Sequence, residues 1–501
     1  MFSRKFSVSF LIWLALLASV VSGCASAQDA SRAYSRAVID RGAIVPADTI
    51  RLHEYLNYYE QRFPEPLDGP LGLDLRLGNP HIPTDGGLVW LQIGLQAKSG
   101  AASAVRTPLN LALVLDASGS MDAPDKMPFL KASLMVFLSS LRPEDRVALV
   151  AYNEEPYLLW PSNSVGDGSW IRTTVESLVP WGSTNLHAGL MLGLAEVDRN
   201  FDVRRNNRVI LLTDGIANRG VTDPKRIASD ALAYSQRGIY LSTIGLGLDF
   251  NDELLTTLAQ QGRGAYHFVD SAQEMDKIFR EEVEGLVEQA ANNVSVAVRT
   301  QPGVRMASIT GYEGTPPASG ADVQLQDMGS GNSQVLVVRL QVERGLPGTR
   351  PLAEVTLNYV DAFAQRPRQE SSMVTAQVIQ AAGYDPLVDI EVRRNATIVR
   401  SAESLIAIDG LFDQGRYIEA WQLARDMEQE LRQVAAMAGD QQMVEDADLF
   451  ARYQLTLISA LGYNPLQVEP TSVPWLGGQE QRWGPTPVPG FPPLPTLEVD
   501  R

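Results

Sequence analysis

The sequence predicts an α/β domain on a doubly wound, mostly parallel sheet, with an adjoining β-sandwich and a helical C-terminal region. From Leu109 to about Glu288, short apolar runs alternate with amphipathic stretches, the pattern of strands and helices taking turns. Runs such as LNLALVL (109–115) and RVILLT (208–213) are almost wholly apolar, which suits parallel strands covered on both faces. After Gln289 the alternation stops, and strand-like runs joined by Gly, Pro and Ser take over.

In chain order, residues 1–23 read as a signal peptide: Arg4 and Lys5 precede an apolar stretch from Phe6 to Val21. That stretch is shorter than the roughly 20 apolar residues of a comfortable membrane span. Residues 24–49 are small and polar and read as a tether. Residues 50–86 form an N-terminal segment, with an amphipathic IRLHEYLNYY (50–59) and a Pro/Gly-rich stretch from Pro64 to Gly87. Gly87–Lys98 alternates like a half-buried strand, and the sandwich is assigned to 87–106 plus 290–382, with the α/β domain (107–289) inserted between. Its strands are expected at 109–115, 146–152, 157–160, 208–213, 239–244 and 265–269. Helices are expected around 126–141, 170–178, 185–198, 224–237, 251–261 and 272–289. Sandwich strands are expected at 294–300, 334–343 and 352–359. Residues 383–462 are helical, in one or two antiparallel pairs, and 463–501 form a Pro-rich tail.

Composition narrows function. The chain has 501 residues, which suggests about three domains at roughly 150 residues each. With 45% hydrophobic and 20% charged residues it is globular material. A formal charge of −17 argues against nucleic acid, whose phosphates need a basic footprint. Removing residues 1–23, with two basic and no acidic side chains, leaves −19. One cysteine excludes an internal disulfide and a cysteine-cluster zinc site.

That cysteine, Cys24, ends Val21-Ser22-Gly23-Cys24, which resembles a bacterial lipobox. The resemblance implies cleavage before Cys24 and acylation of the new terminus, a palmitate-type anchor that needs no spanning helix. The alternative is an ordinary signal peptide with a cysteine nearby. Ala25 rather than Asp follows, which implies outer-membrane sorting in a host with an outer membrane. The expected location is the extracytoplasmic face of the cell envelope.

The chemistry lies where strands end. Asp116-Ala117-Ser118-Gly119-Ser120 follows the first strand of the α/β domain, Gly182-Ser183-Thr184-Asn185 enters a later helix, and Thr213-Asp214-Gly215 closes RVILLT. These clusters offer hard oxygen donors and neither thiolate nor imidazole, which suits Mg²⁺ or Mn²⁺, with Ca²⁺ a further candidate. DxSxS, a Thr about 65 residues on and a TDG after the next long strand resemble the metal-ion-dependent adhesion site of von Willebrand factor type A (VWA) domains. The resemblance implies direct metal binding by Ser118 and Ser120. It gives Thr184 a direct bond in the high-affinity state, and Asp116 and Asp214 a bond directly or through water. It also implies an open metal position for an acidic side chain of a protein partner, and a last helix (272–289) that slides when ligands exchange. The segment IRLHEYLNYY is similar to one preceding the VWA domain in bacterial VWA lipoproteins, with Arg51, Glu54, Asn57 and Tyr58 in place.

No GxxxxGK[ST] loop, HExxH or GxSxG elbow occurs. His53, His81, His187 and His267 are far apart in sequence; His187 reads as a helix-surface residue and His267 as a core or edge residue of a strand. With Asp116 and Asp214 assigned to metal, no spare general base is identifiable, so no catalysis is expected. The leading expectation is metal-dependent protein binding at the envelope. An envelope-complex scaffold with a purely structural metal is the alternative, and a partner subunit of a cytoplasmic ATPase a third reading that the lipobox disfavours. The partner's identity and the oligomeric state are not legible.

Overall fold

The computed structural model describes residues 30–460, apart from 62, 100–107, 125, 248–249, 270–277, 279–288, 313, 365 and 381–382. The signal peptide, Cys24, nearly all of the 272–289 helix and the 463–501 tail therefore lie outside the described residues.

The described residues open with the helices α1 (Ala30–Asp40) and α2 (Leu52–Tyr58). The tether reading of 24–49 is corrected here, because α1 is packed into the body. Its small residues are what allow this: Ser35 and Ser31 are fully buried, and their hydroxyls donate to the backbone carbonyls of Ser31 and Thr49. Buried Arg32 pairs with buried Asp446 at 2.6 Å, near the far end of the chain.

Three strands follow, β1 (Leu71–Leu77), β2 (His81–Pro83) and β3 (Gly87–Ala97). The first two lie in the stretch read as a separate Pro/Gly-rich segment. They belong instead to sheets, β1 pairing antiparallel with β3 from Leu71↔Ala97 to Leu77↔Leu91.

The α/β domain holds strands β4 (Leu109–Asp116), β5 (Arg146–Tyr152), β6 (Pro156–Ser164), β7 (Asn206–Thr213), β8 (Tyr240–Leu246) and β9 (Arg263–Val269). Its described helices are α3 (Met127–Ser140), α4 (Ile171–Glu176), α5 (Leu186–Arg199), α6 (Pro224–Ser235) and α7 (Asp252–Gln261). The sheet order is β6-β5-β4-β7-β8-β9, parallel except for β6, which runs antiparallel to β5. Alternate residues of a strand face opposite ways, so buried β4 serves two cores. Leu111, Leu113 and Leu115 meet Leu130 and Leu134 of α3, while Ala112 and Val114 meet Leu190 and Leu194 of α5. On the α5 side the fit is close: a Cβ added to Gly193 would lie 2.2 Å from Val114 Cγ2.

The remaining strands are β10 (Gln289–Thr300), β11 (Val304–Ile309), β12 (Gly320–Gln324), β13 (Met328–Gly329), β14 (Ser333–Val342), β15 (Gly348–Asp361) and β16 (Arg366–Ile379). They and β1–β3 make two sheets, β1-β3-β14-β11 and β12-β10-β15-β16-β2 with β13 on β10. One core lies between them, with Leu91, Ile93 and Leu340 from the first sheet and Val296, Val298 and Leu357 from the second.

Helices α8 (Ile390–Asp413), α9 (Tyr417–Ala438) and α10 (Gln441–Ala460) close the described chain. Asp389 caps α8, accepting from the N–H groups of Glu391 and Val392. Gly439, at φ 67°, ends α9 in the left-handed conformation that glycine adopts without strain. These helices cover the outer face of the first sheet, so β3 is buried on both faces rather than half-buried. Trp90 joins the helical core, and Gln92 Oε1 accepts from Asn395 Nδ2 at 2.7 Å.

Candidate metal centre

In an open α/β sheet, ligands bind beyond the carboxyl ends of the strands, at the point where strand order reverses. Here that point is between β4 and β7, the two central strands from which the chain winds outward. Asp116 is the last residue of β4, and Asp214 directly follows β7.

Asp116 is fully buried, and its carboxylate is held from three strand ends. The Ser118 N–H donates to Oδ1 at 2.9 Å; Thr213 Oγ1 donates to Oδ2 at 2.7 Å, and Tyr152 OH to the same oxygen at 3.2 Å. Burial pushes this carboxyl above its ordinary range and neighbouring Asp214 adds to the effect, against hydrogen bonds from Ser118 and Thr213. Ser118 Oγ lies 3.0 Å from Ser120 Oγ, which donates to Asp214 Oδ1 at 2.7 Å. Asp214 is fully buried, and its Oδ2 accepts from Lys126 Nζ at 2.6 Å.

Thr184 is brought in by the loop before α5. Gly182, at φ 78°, makes that turn, and its carbonyl accepts from the Gly119 N–H at 3.0 Å, joining this loop to the DxSxS loop. The Thr184 N–H donates to Asn218 Oδ1 at 2.8 Å, and its carbonyl accepts from the Asn218 and Arg219 N–H groups. Its hydroxyl faces the same glycine as Ser120: a Cβ on Gly215 would lie 3.7 Å from Thr184 Oγ1 and 3.8 Å from Ser120 Oγ. In the same loop, Ser183 Oγ is buried without a hydrogen-bond partner.

The donor set fits a hard divalent ion. Octahedral Mg²⁺ at about 2.0–2.1 Å sets adjacent oxygens about 2.9 Å apart. The Ser118–Ser120 and Ser120–Asp214 separations, 3.0 and 2.7 Å, match that edge. Among the described residues no group of three or more His, Cys, Asp or Glu could hold a metal. Ser120 is exposed while Asp116, Ser118, Thr184 and Asp214 are buried, so the cluster opens on one side. Exposed Val179, Trp181 and Ile216 lie on the loops that carry these ligands.

Sequence reasoning missed Tyr152, Asn218 and Lys126, and quoted Thr213 only as part of TDG. Their roles depend on pairing across strands and loops, which no local pattern encodes. His187 is on α5, 3.0 Å from Asp230 Oδ2, and His267 is buried in β9. A separate cleft of about 680 Å³ opens between α2, α7 and the sandwich edge; its walls include His53, Gln260, Arg263 and Tyr312, and none of the five candidate ligands.

The fold defines an α/β domain on a mostly parallel sheet, with the candidate ligands at the carboxyl ends of its central strands. Residues 110–281 match the family model for the von Willebrand factor type A domain, and this segment is a VWA domain. The chain is similar to "Uncharacterized protein YfbK" of Escherichia coli (strain K12), 28% identical over 279 residues, or 54% of this chain and 48% of the relative. It is similar also to "Uncharacterized protein sll0103" of Synechocystis, 25% identical over 313 residues, or 60% of this chain and 74% of the relative. Inter-alpha-trypsin inhibitor heavy chain H3 of Homo sapiens is 27% identical over 203 residues, 39% of this chain and 22% of its own. The chain thus spans about half the length of the Escherichia coli relative and about a fifth of the human one. Among solved structures, a von Willebrand factor type A protein from Catenulispora acidiphila shares the fold, with a TM-score of 0.56 at 18% identity, covering 76% of this chain and 89% of the other.

Proposed function

We propose that the chain is a lipid-anchored, extracytoplasmic protein that binds a protein partner through a divalent ion held at the rim of its VWA domain. The carrying observation is the oxygen run Ser118–Ser120–Asp214 at octahedral spacing, with Thr184 facing the same glycine as Ser120 and Asp116 held to the same loop through the Ser118 N–H. When bound, the ion supplies a position that takes a carboxylate oxygen from the partner. The chain orients its own oxygens: Thr213 and Tyr152 fix Asp116, and Asn218 fixes the Thr184 backbone. Val179, Trp181 and Ile216 add apolar surface, which supports a protein partner over a small anion. The site is read as non-catalytic: Asp116 accepts three hydrogen bonds, and both oxygens of Asp214 are paired. Mg²⁺ is the ion of choice, with Mn²⁺ and Ca²⁺ as alternatives.

The test is a pull-down from envelope extract in Mg²⁺ or in EDTA, with wild type beside Asp116→Ala and Thr184→Ala. Loss of the same partners in EDTA and in both variants is expected; unchanged partners would replace adhesion with the scaffold reading. Anchoring at Cys24 is checked separately: Cys24→Ser should lose labelled palmitate and leave the membrane fraction.

A further inference from the structure

Lys126 immediately precedes α3, yet its Nζ reaches the end of β7 and sits 2.6 Å from Asp214 Oδ2. The Asp214 side chain has no exposed surface, and that of Lys126 is 17% exposed. Two buried carboxylates, Asp116 and Asp214, stand beside each other, and burying such charges without a cation is strongly unfavourable. The ammonium provides one positive charge on the oxygen opposite the one Ser120 uses. A divalent ion seated among the same oxygens draws on the same carboxylate. Ammonium and metal a few ångströms apart repel in a weakly screened site.

We propose that Lys126 is a built-in counter-ion that a divalent metal displaces from Asp214, so that loading the site drives the ammonium toward solvent at its mouth. The exchange weakens metal binding by the strength of the Lys126–Asp214 pair. It also leaves a mobile positive charge beside the position where an acidic partner group arrives. This rests on the metal reading of the site.

Calorimetric titration of the full chain with MgCl₂ tests it, comparing wild type with Lys126→Met and Lys126→Arg, together with thermal melts in EDTA. A charge-assisted hydrogen bond of this kind predicts that Lys126→Met binds Mg²⁺ about tenfold to a hundredfold more tightly. In EDTA the same variant should melt below wild type, because Asp214 has lost its cation. Lys126→Arg keeps the charge and should stay near wild type in both. Binding by Lys126→Met at wild-type strength or weaker overturns the exchange, and so does an unchanged melt in EDTA. Should Lys126→Met fail to fold, Lys126→Gln carries the same comparison. Absence of Mg²⁺ uptake by every protein removes the metal reading, and this proposal with it; equal uptake removes this proposal alone.

Discussion

Arg51 Nη2 donates to Asp252 Oδ2 at 2.8 Å, joining the N-terminal segment to the first turn of α7 in the VWA domain. Both side chains are largely buried, at 12% and 8% exposure. Tyr266 OH donates to the other Asp252 oxygen, and the Arg51 guanidinium stands 5.8 Å from the Tyr266 ring centre. The rest of the segment makes similar ties. Asn57 accepts from the Val335 N–H on β14 and donates to its carbonyl, Tyr59 OH donates to Asp446 on α10, and Arg32 stacks over Tyr58. Residues 51–59 thus fasten the VWA domain, the sandwich and the terminal helices to one another.

Removing the cation alone should therefore be costly. Arg51→Met leaves Asp252 charged, buried and without its ion-pair partner, a change worth about 3 kcal/mol. The double variant Arg51→Met/Asp252→Asn removes that stranded charge and should recover part of the loss. Urea melts of wild type, both single variants and the double variant check this. A double variant no better than Arg51→Met alone would show that the charge is not what matters.

Glu54, on α2 three residues after Arg51, gives the junction a pH dependence. Its carboxyl is pushed up to about 7 by burial, with Asp252 adding and Arg51, the Ser31 N–H and His267 opposing. The unfolded chain loses this proton near pH 4.5 and the folded chain near 7, so the folded state holds the extra proton in between. Glu54 therefore favours the folded state fully below about pH 4.5, and that advantage declines until about pH 7. His53, lowered to about 4 by burial and by Arg51, changes stability in the opposite direction from about pH 4 to 6.5. The two effects partly offset each other in wild type. Glu54→Gln isolates one of them: its melting temperature relative to wild type should rise from pH 4.5 to 7 and level off by pH 8. A difference that stays constant with pH would rule out Glu54 as the titrating group.

The features that were legible in the sequence were those written in local periodicity. Apolar runs such as 109–115 and 208–213 marked strands with two covered faces, and the residues closing those runs are the candidate ligands. Helix α1 was illegible because ASRAYSRAVID has the composition of a linker. Its burial is made possible by a carbonyl 18 residues away and a carboxylate 414 residues away. Strand β1 did carry a signal, with leucines at 71, 73, 75 and 77, but the surrounding Pro and Gly residues obscured it. Around the candidate ligands, the sequence located the residues at the rim. The groups that hold them, Thr213, Tyr152 and Asn218, are defined only once parallel strands and adjacent loops are set side by side.

Thr213 offers the cleanest test of that support. Its hydroxyl donates to Asp116 Oδ2 at 2.7 Å and accepts from the Gly215 N–H at 3.3 Å, so it links the carboxylate of β4 to the turn carrying Asp214. Thr213→Val keeps the shape and removes both bonds. Asp116 keeps the Ser118 N–H and the Tyr152 hydroxyl, so the domain should still fold, while the carboxylate is free to turn away from the serines. Outer partners of metal ligands typically account for 10–100-fold in affinity, and a loss of about tenfold in Mg²⁺ binding is expected. Thr213→Ser retains the hydroxyl and should bind as wild type does. Calorimetry on the three proteins decides the point: a valine variant with wild-type affinity would mean that Asp116 is positioned by its other partners, and that the hydroxyl only fills the space between β4 and β7.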